Sequence, residues 1–145
     1  MTLTVLLGGA RSGKTAAALE LARRASRPVT YVATAPRIEA DTDFDARIDR
    51  HRAERPPTWT TVEEPVDLAG VLRETHGIVI VDCLTLWVSN LLHEGRNDDD
   101  VQQLARDTSD VAARATHEVV AVSNEVGMGV HPTTELGRHY RDVLG

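Results

Sequence analysis

The chain has 145 residues, enough for one domain with a single substantial core and too few for two. Its formal net charge of −6 excludes the basic footprint with which proteins hold nucleic acid or an anionic membrane surface, so small molecules are the expected partners. The apolar runs are too short to span a bilayer and the first residues enter a β-like run without a basic leader. The single cysteine, Cys83, has neither a disulfide partner nor companion zinc ligands, so a soluble, cytoplasmic protein is expected.

In chain order, TLTVLL (2–7) is a β-branched, apolar run that ends at glycines, and KTAAALELARRA (14–25) follows with strong helix formers and no breaker. PVTYVAT (28–34) predicts a second strand. DFDARIDRHRAER (43–55) predicts a charged helix stopped by Pro56 and Pro57. TWTTVEE (58–64) predicts a short strand or extended edge, and PVDLAGVLRE (65–74) a helix with Pro65 near its first turn. GIVIVDC (77–83) is the clearest strand, and its unbroken apolar run predicts burial on both faces, as in a parallel sheet. LTLWVSNLLHE (84–94) predicts a helix, GRNDDD a polar turn, VQQLARDTSDVAARAT (101–116) an amphipathic helix, EVVAVSNEVG (118–127) another buried strand, and TTELGRHYRDVLG (133–145) a last helix. Strands alternate with helices throughout, which predicts an α/β fold: a mainly parallel sheet with helices on both faces, three layers in all, and a ligand at the carboxyl ends of the strands.

The first strand–glycine–helix unit carries chemistry. Gly8, four residues, and then Gly13-Lys14-Thr15 form the P-loop pattern in its required context of a preceding strand and a following helix. Glycines let backbone N–H groups curl round an oxyanion, the helix N-terminus adds partial positive charge, Lys14 reaches the outer phosphates, and Thr15 offers a hydroxyl to Mg²⁺. Fifteen of the sixteen basic residues are arginine, and the one lysine is Lys14. A compact ammonium that touches phosphate as a point charge explains that exception. Asp82, at the end of IVIVD, is either the second metal-associated carboxylate of such a site or a cap for the helix that starts near Leu84. Cys83 beside it is expected to be a packed residue.

Two further stretches narrow the chemistry. Arg47, His51 and Arg55 recur at i, i+4 and i+8 along one face of the 43–55 helix. That face is either a solvated surface laced by pairs such as Asp43 with Arg47, or an anion-binding stripe whose cations keep the imidazole neutral and able to attack phosphorus. SNEVGMGVHP (123–132) follows a strand and is either a tight connection or part of the ligand-bearing edge, with Asn124 and Glu125 its polar groups.

The combination of GGARSGKT, YVATA (31–35), RIDRHRAERP (47–56), WTTVEEP (59–65), VDCLTLWVSNLL (81–92) and NEVGMGVHP (124–132) closely resembles the bifunctional adenosylcobinamide kinase and adenosylcobinamide-phosphate guanylyltransferase family of cobalamin biosynthesis. The motifs occur in the family's order and cover nearly the whole chain. The resemblance implies a P-loop NTPase-like fold in a single domain over residues 1–145. It implies phosphorylation of adenosylcobinamide with ATP or GTP, and then transfer of GMP from GTP to adenosylcobinamide phosphate through a covalent intermediate on His51. It implies His51 and Lys14 as catalytic residues, Thr15 and Asp82 as the metal site, and nucleotide contacts at Gly8, Gly9, Ala10, Arg11, Ser12, Gly13, Lys14, Thr15, Ala33, Thr34, Ala35, Arg52, Ala53, Glu54, Arg55, Glu63 and Asp82. Family members assemble as trimers, and typically continue beyond the RDVLG match with further helix and a final apolar strand. A chain without these is expected to show uncovered sheet edge. Two other functions fit the P-loop alone: a small-molecule kinase without the histidine step, and a catalytically silent GTP-binding module.

Overall fold

The computed structural model describes residues 3–9, 12–36, 42–53, 55–125 and 134–144, with a minority of side chains in the 42–53 and 134–144 segments outside that description. Five strands form one sheet: β1 (Leu3–Gly8), β2 (Val29–Ala33), β3 (Thr60–Glu63), β4 (Ile78–Asp82) and β5 (Glu118–Asn124). Their order is β1-β5-β4-β2-β3, and each of the four pairings is parallel. The helices are α1 (Lys14–Arg24), α2 (Thr42–Ala53), α3 (Leu68–Glu74), α4 (Leu84–His93), α5 (Asp98–Arg114) and α6 (Glu135–Leu144). The expected α/β architecture is therefore present.

Alternation along the strands divides the core in two. Tyr31, Ile78, Ile80, Val120 and Val122 face one way and pack against Ala18, Leu19 and Ala22 of α1. Val32, Val79, Val81, Val119 and Ala121 face the other way, against Leu68 and Leu72 of α3, Trp87, Val88 and Leu91 of α4, and Val101 and Ala112 of α5. The four apolar residues Ile78 to Val81 of β4 are all buried, as its unbroken apolar run requires. β1 is the exception. It lies at the sheet edge, and Leu3, Val5 and Leu7, which continue the face of Val119 and Ala121, are 44%, 47% and 66% exposed.

Helix starts depart from the sequence expectation at two places, for the same reason. α5 begins at Asp98 instead of 101, because the Asn97 side chain accepts a hydrogen bond from the Asp100 N–H and the three aspartates of the first turn complement the helix dipole. The stretch NDDD is an N-cap and first turn, not a turn between elements. α3 begins at Leu68, capped by Asp67 through the Gly70 N–H, so Pro65 lies before the helix and not in its first turn.

His117, just before β5, is 6% exposed and its Nε2 has no hydrogen-bond partner among the described residues. Burial, and secondarily the neighbouring His76, lower its pKa. A depressed folded-state pKa means that the unfolded chain binds the proton more readily. Stability from this group is then complete above the unfolded value of about 6.5 and declines as pH falls below it. Thermal melts from pH 7.5 to 5 should show that decline, and His117→Gln should flatten it.

Candidate nucleotide site

The carboxyl ends of the strands bring together residues distant in sequence. Gly8 pairs in register with Asn124, Ala33 with both Glu63 and Asp82, and the Glu125 N–H donates to the Gly8 carbonyl at 2.9 Å. At Gly8 a Cβ would meet the Ser12 hydroxyl, so the Ser12 side chain packs closely over this glycine. Gly13 takes φ +88° as the N-cap of α1, a left-handed conformation that favours glycine. Lys14 donates from Nζ to the Gly9 carbonyl at 2.8 Å, which folds the ammonium back over the loop. Thr15 is partly buried in the first turn of α1. Ala10 and Arg11 lie outside the described residues.

Asp82 belongs to this edge. It shares the sheet face of Ile78 and Ile80, the face that α1 covers, so the P-loop helix and the carboxylate lie on the same side. One strand, β5, separates β4 from β1, a spacing of about 10 Å at the usual distance between strands. The Tyr31 hydroxyl donates to Asp82 Oδ2. Tyr31 pairs in register with Ile80, so its ring reaches one diagonal step along the neighbouring strand. Burial, with the Asp82 carboxylate beside it, pushes the phenol well above its ordinary pKa and keeps it a neutral donor. The alternative role of Asp82 as a helix cap is not seen: Cys83 occupies the N-cap position of α4, without a side-chain cap hydrogen bond.

Over the other face of the Tyr31 contact lies Arg55, whose guanidinium carbon is 4.0 Å from the ring centroid. Arg55 is buried and also donates from Nη1 to Thr61 Oγ1 at 3.3 Å. Burial lowers its pKa, while Tyr31, Asp82 and Glu63 act in the opposite direction. Arg52 stands 4.0 Å from Glu63 at the exposed rim, a pair that contributes little to stability. Ala53 ends α2 and is exposed, whereas Glu54 and the side chain of His51 lie outside the described residues.

Thr34 differs from its neighbours. It is fully buried, its hydroxyl donates to the Cys83 carbonyl at 2.7 Å and accepts from the Cys83 N–H at 2.9 Å, and its own N–H donates to the Asp82 carbonyl at 3.1 Å. Asn90 Nδ2 then donates to the carbonyls of Thr34 and Pro65 at 2.8 and 2.9 Å. The Thr34 side chain is therefore a clip beneath the site instead of a wall of it, while Ala33 and Ala35 are only partly buried. Thr34→Val keeps the volume and leaves the Cys83 amide unpaired, so it should cost about 1–3 kcal/mol, read as a lower Tm. Cys83 is buried and its thiol pKa is raised, as fits a packed residue. Tyr31, Thr61 and Asn90 had no assigned role in the sequence. The available signal was Tyr31 itself, since a phenol in a buried strand requires a partner for its hydroxyl.

A cavity of about 440 Å³ between α1 and Trp59, with Arg23, Pro28 and Pro56 on its walls, opens at the amino end of β2, away from this edge. No group of three or more histidine, cysteine, aspartate or glutamate residues is clustered for a metal among the described residues.

The family model described as cobinamide kinase / cobinamide phosphate guanyltransferase matches residues 4–145. The chain belongs to that family. It is 42% identical over 147 residues to the bifunctional adenosylcobalamin biosynthesis protein CobP of Pseudomonas aeruginosa, covering 97% of this chain and 82% of the relative. It is 36% identical over 158 residues to the bifunctional adenosylcobalamin biosynthesis protein CobU of Escherichia coli, covering 99% and 86%. Family membership makes the chain an enzyme of a bifunctional kinase and guanylyltransferase group. Among solved structures, an ATPase of a bacterial type III secretion system superposes with a TM-score of 0.58 over 98% of this chain and 49% of its own, at 10% identity. That likeness supports the P-loop ATPase fold and nothing finer.

Proposed function

We propose that this chain first phosphorylates the aminopropanol hydroxyl of adenosylcobinamide with ATP or GTP, and then transfers GMP from GTP to the new phosphate through His51. In the first step the alcohol oxygen attacks the γ-phosphorus, the nucleoside diphosphate leaves, and the alcohol proton is released. In the second a neutral ring nitrogen of His51 attacks the α-phosphorus and pyrophosphate leaves. The corrinoid phosphate then displaces the imidazole and forms the diphosphate bond of adenosylcobinamide-GDP.

The observation that carries the proposal is the placement of Gly8, Lys14 and Asp82 at the carboxyl ends of the strands, with Arg55, four residues after His51 in the sequence, joined to Asp82 through Tyr31. The Gly8–Thr15 loop holds the triphosphate, and Ala33, Ala35, Arg52, Arg55 and Glu63 border the nucleotide. The donors fit Mg²⁺. Thr15 and Asp82 supply hard oxygen ligands, Tyr31 occupies only part of the Asp82 carboxylate, and the sparse protein set matches a cation held chiefly by phosphate and water. Bound there, Mg²⁺ would neutralise charge that develops on the phosphates. Among the described residues no helix is long and apolar enough to cross a membrane. Assembly as trimers follows from the family resemblance, and light scattering tests it.

The chemistry is tested by incubating the protein with Mg²⁺ and GTP labelled at either the α- or the γ-phosphate. The expected result is an acid-labile protein adduct that retains α-label and never γ-label. Phosphoryl transfer to cobinamide without an adduct would leave a small-molecule kinase. GTP binding with neither reaction would leave a silent binding module.

A further inference from the structure

We propose that Tyr31 is a positioning residue that fixes Asp82 and Arg55 in one arrangement, so that the metal-side carboxylate and the α2-side guanidinium meet the same triphosphate. The proposal rests on Asp82 acting on the nucleotide-bound metal. Three observations carry it. Tyr31 is 4% exposed, and its hydroxyl donates to Asp82 Oδ2 from the adjacent strand, one diagonal step from its register partner Ile80. Its ring carries the Arg55 guanidinium at 4.0 Å, and Arg55 stands four residues after His51 in the sequence. Arg55 is itself buried and tied to Thr61 of β3, so it is not a loose surface group.

The chemistry follows from what each contact leaves unused. An ionised carboxylate offers about four lone-pair positions, and one phenolic donor uses one of them. Asp82 Oδ1 and the rest of Oδ2 remain available to a metal or its water, with their direction set by the strand-borne phenol. A carboxylate held this way loses little rotamer freedom on binding, and removal of such an outer partner typically lowers metal affinity by about ten- to a hundredfold. On the ring's other side, the aromatic face replaces water around Arg55 with a surface that favours a cation. Phenylalanine would keep that face and lose only the hydroxyl. The two functions of Tyr31 can therefore be separated.

The test uses Mn²⁺ as the probe, titrated by electron paramagnetic resonance into the GTP complexes of the unaltered chain, Tyr31→Phe and Asp82→Asn. GTP affinity in EDTA and thermal melts are measured alongside. Tyr31→Phe is expected to weaken Mn²⁺ about tenfold while leaving metal-free GTP affinity within about twofold and the protein folded. Tyr31→Leu, which also removes the ring under Arg55, is expected to weaken metal-free GTP binding as well. If Asp82→Asn weakens Mn²⁺ and Tyr31→Phe does not, the positioning role is overturned while the metal role of Asp82 stands. If Asp82→Asn has no effect, the metal role falls and the proposal with it. Should Tyr31→Phe not fold, the unaltered chain labelled at tyrosine Cζ gives a second readout, since its two tyrosines are Tyr31 and Tyr140 and Tyr140→Phe assigns them. The Tyr31 resonance is expected to move when Mg²⁺ is added to the GTP complex, and a resonance that stays fixed overturns the proposal.

Discussion

His51→Ala is expected to abolish the α-phosphate adduct and to lower GMP transfer at least about a thousandfold, as removal of a covalent nucleophile does. Phosphorylation of cobinamide should persist within a few fold, because the P-loop parts of the site do not include His51. Arg47 and Arg55 stand four residues to either side of His51 in the sequence, and the attack uses a neutral ring nitrogen of His51. Added imidazole should restore part of the transfer in the alanine variant, since it returns a nucleophile of the same chemistry. A His51→Ala protein that still retains α-label would show that another residue forms the adduct. Loss of both reactions together would instead indicate a folding or nucleotide-binding defect, and GTP affinity separates these outcomes.

Lys14→Ala is expected to cost both reactions about a hundred- to a thousandfold in kcat/KM, roughly 3–4 kcal/mol, the usual scale for losing one preorganised charge donor at a developing oxyanion. Lys14→Arg should recover little. The ammonium is a compact point charge that already fits within hydrogen-bond distance of the Gly9 carbonyl, and a planar fork of five donors does not occupy the same space. The chain's own usage sharpens this prediction, because arginine serves at fifteen positions and lysine at this one. Steady-state kinetics of the kinase step, together with GTP titration, check it. Near-normal turnover by Lys14→Arg would reduce Lys14 to generic charge.

Local sequence was a sound guide wherever neighbours in the chain make the structure. The glycine loop is legible because Gly13 takes a left-handed conformation and Gly8 packs against Ser12, both within a few residues of themselves. β4 is legible because continuous apolar character has few uses besides a doubly covered strand. Helix starts were less so: the apolar pattern of α5 begins at Val101, but the helix begins where Asn97 can cap it. Thr34 shows the opposite limit. Motif resemblance joins it to the nucleotide-contact residues, while its hydroxyl is wholly engaged with Cys83, a residue 49 positions away.

The sequence by itself determined the alternation of strands and helices, the phosphate loop, the family, and the identity of the residues with chemistry to offer. Only the tertiary structure decided which of them meet. Tyr31, Arg55 and Asp82 come from three separate stretches, and no periodicity relates them. Strand order, parallel register and the side chosen by each strand's alternation set their contact. Long-range pairing of this kind depends on the whole sheet, and so it leaves no local pattern for composition or spacing to carry.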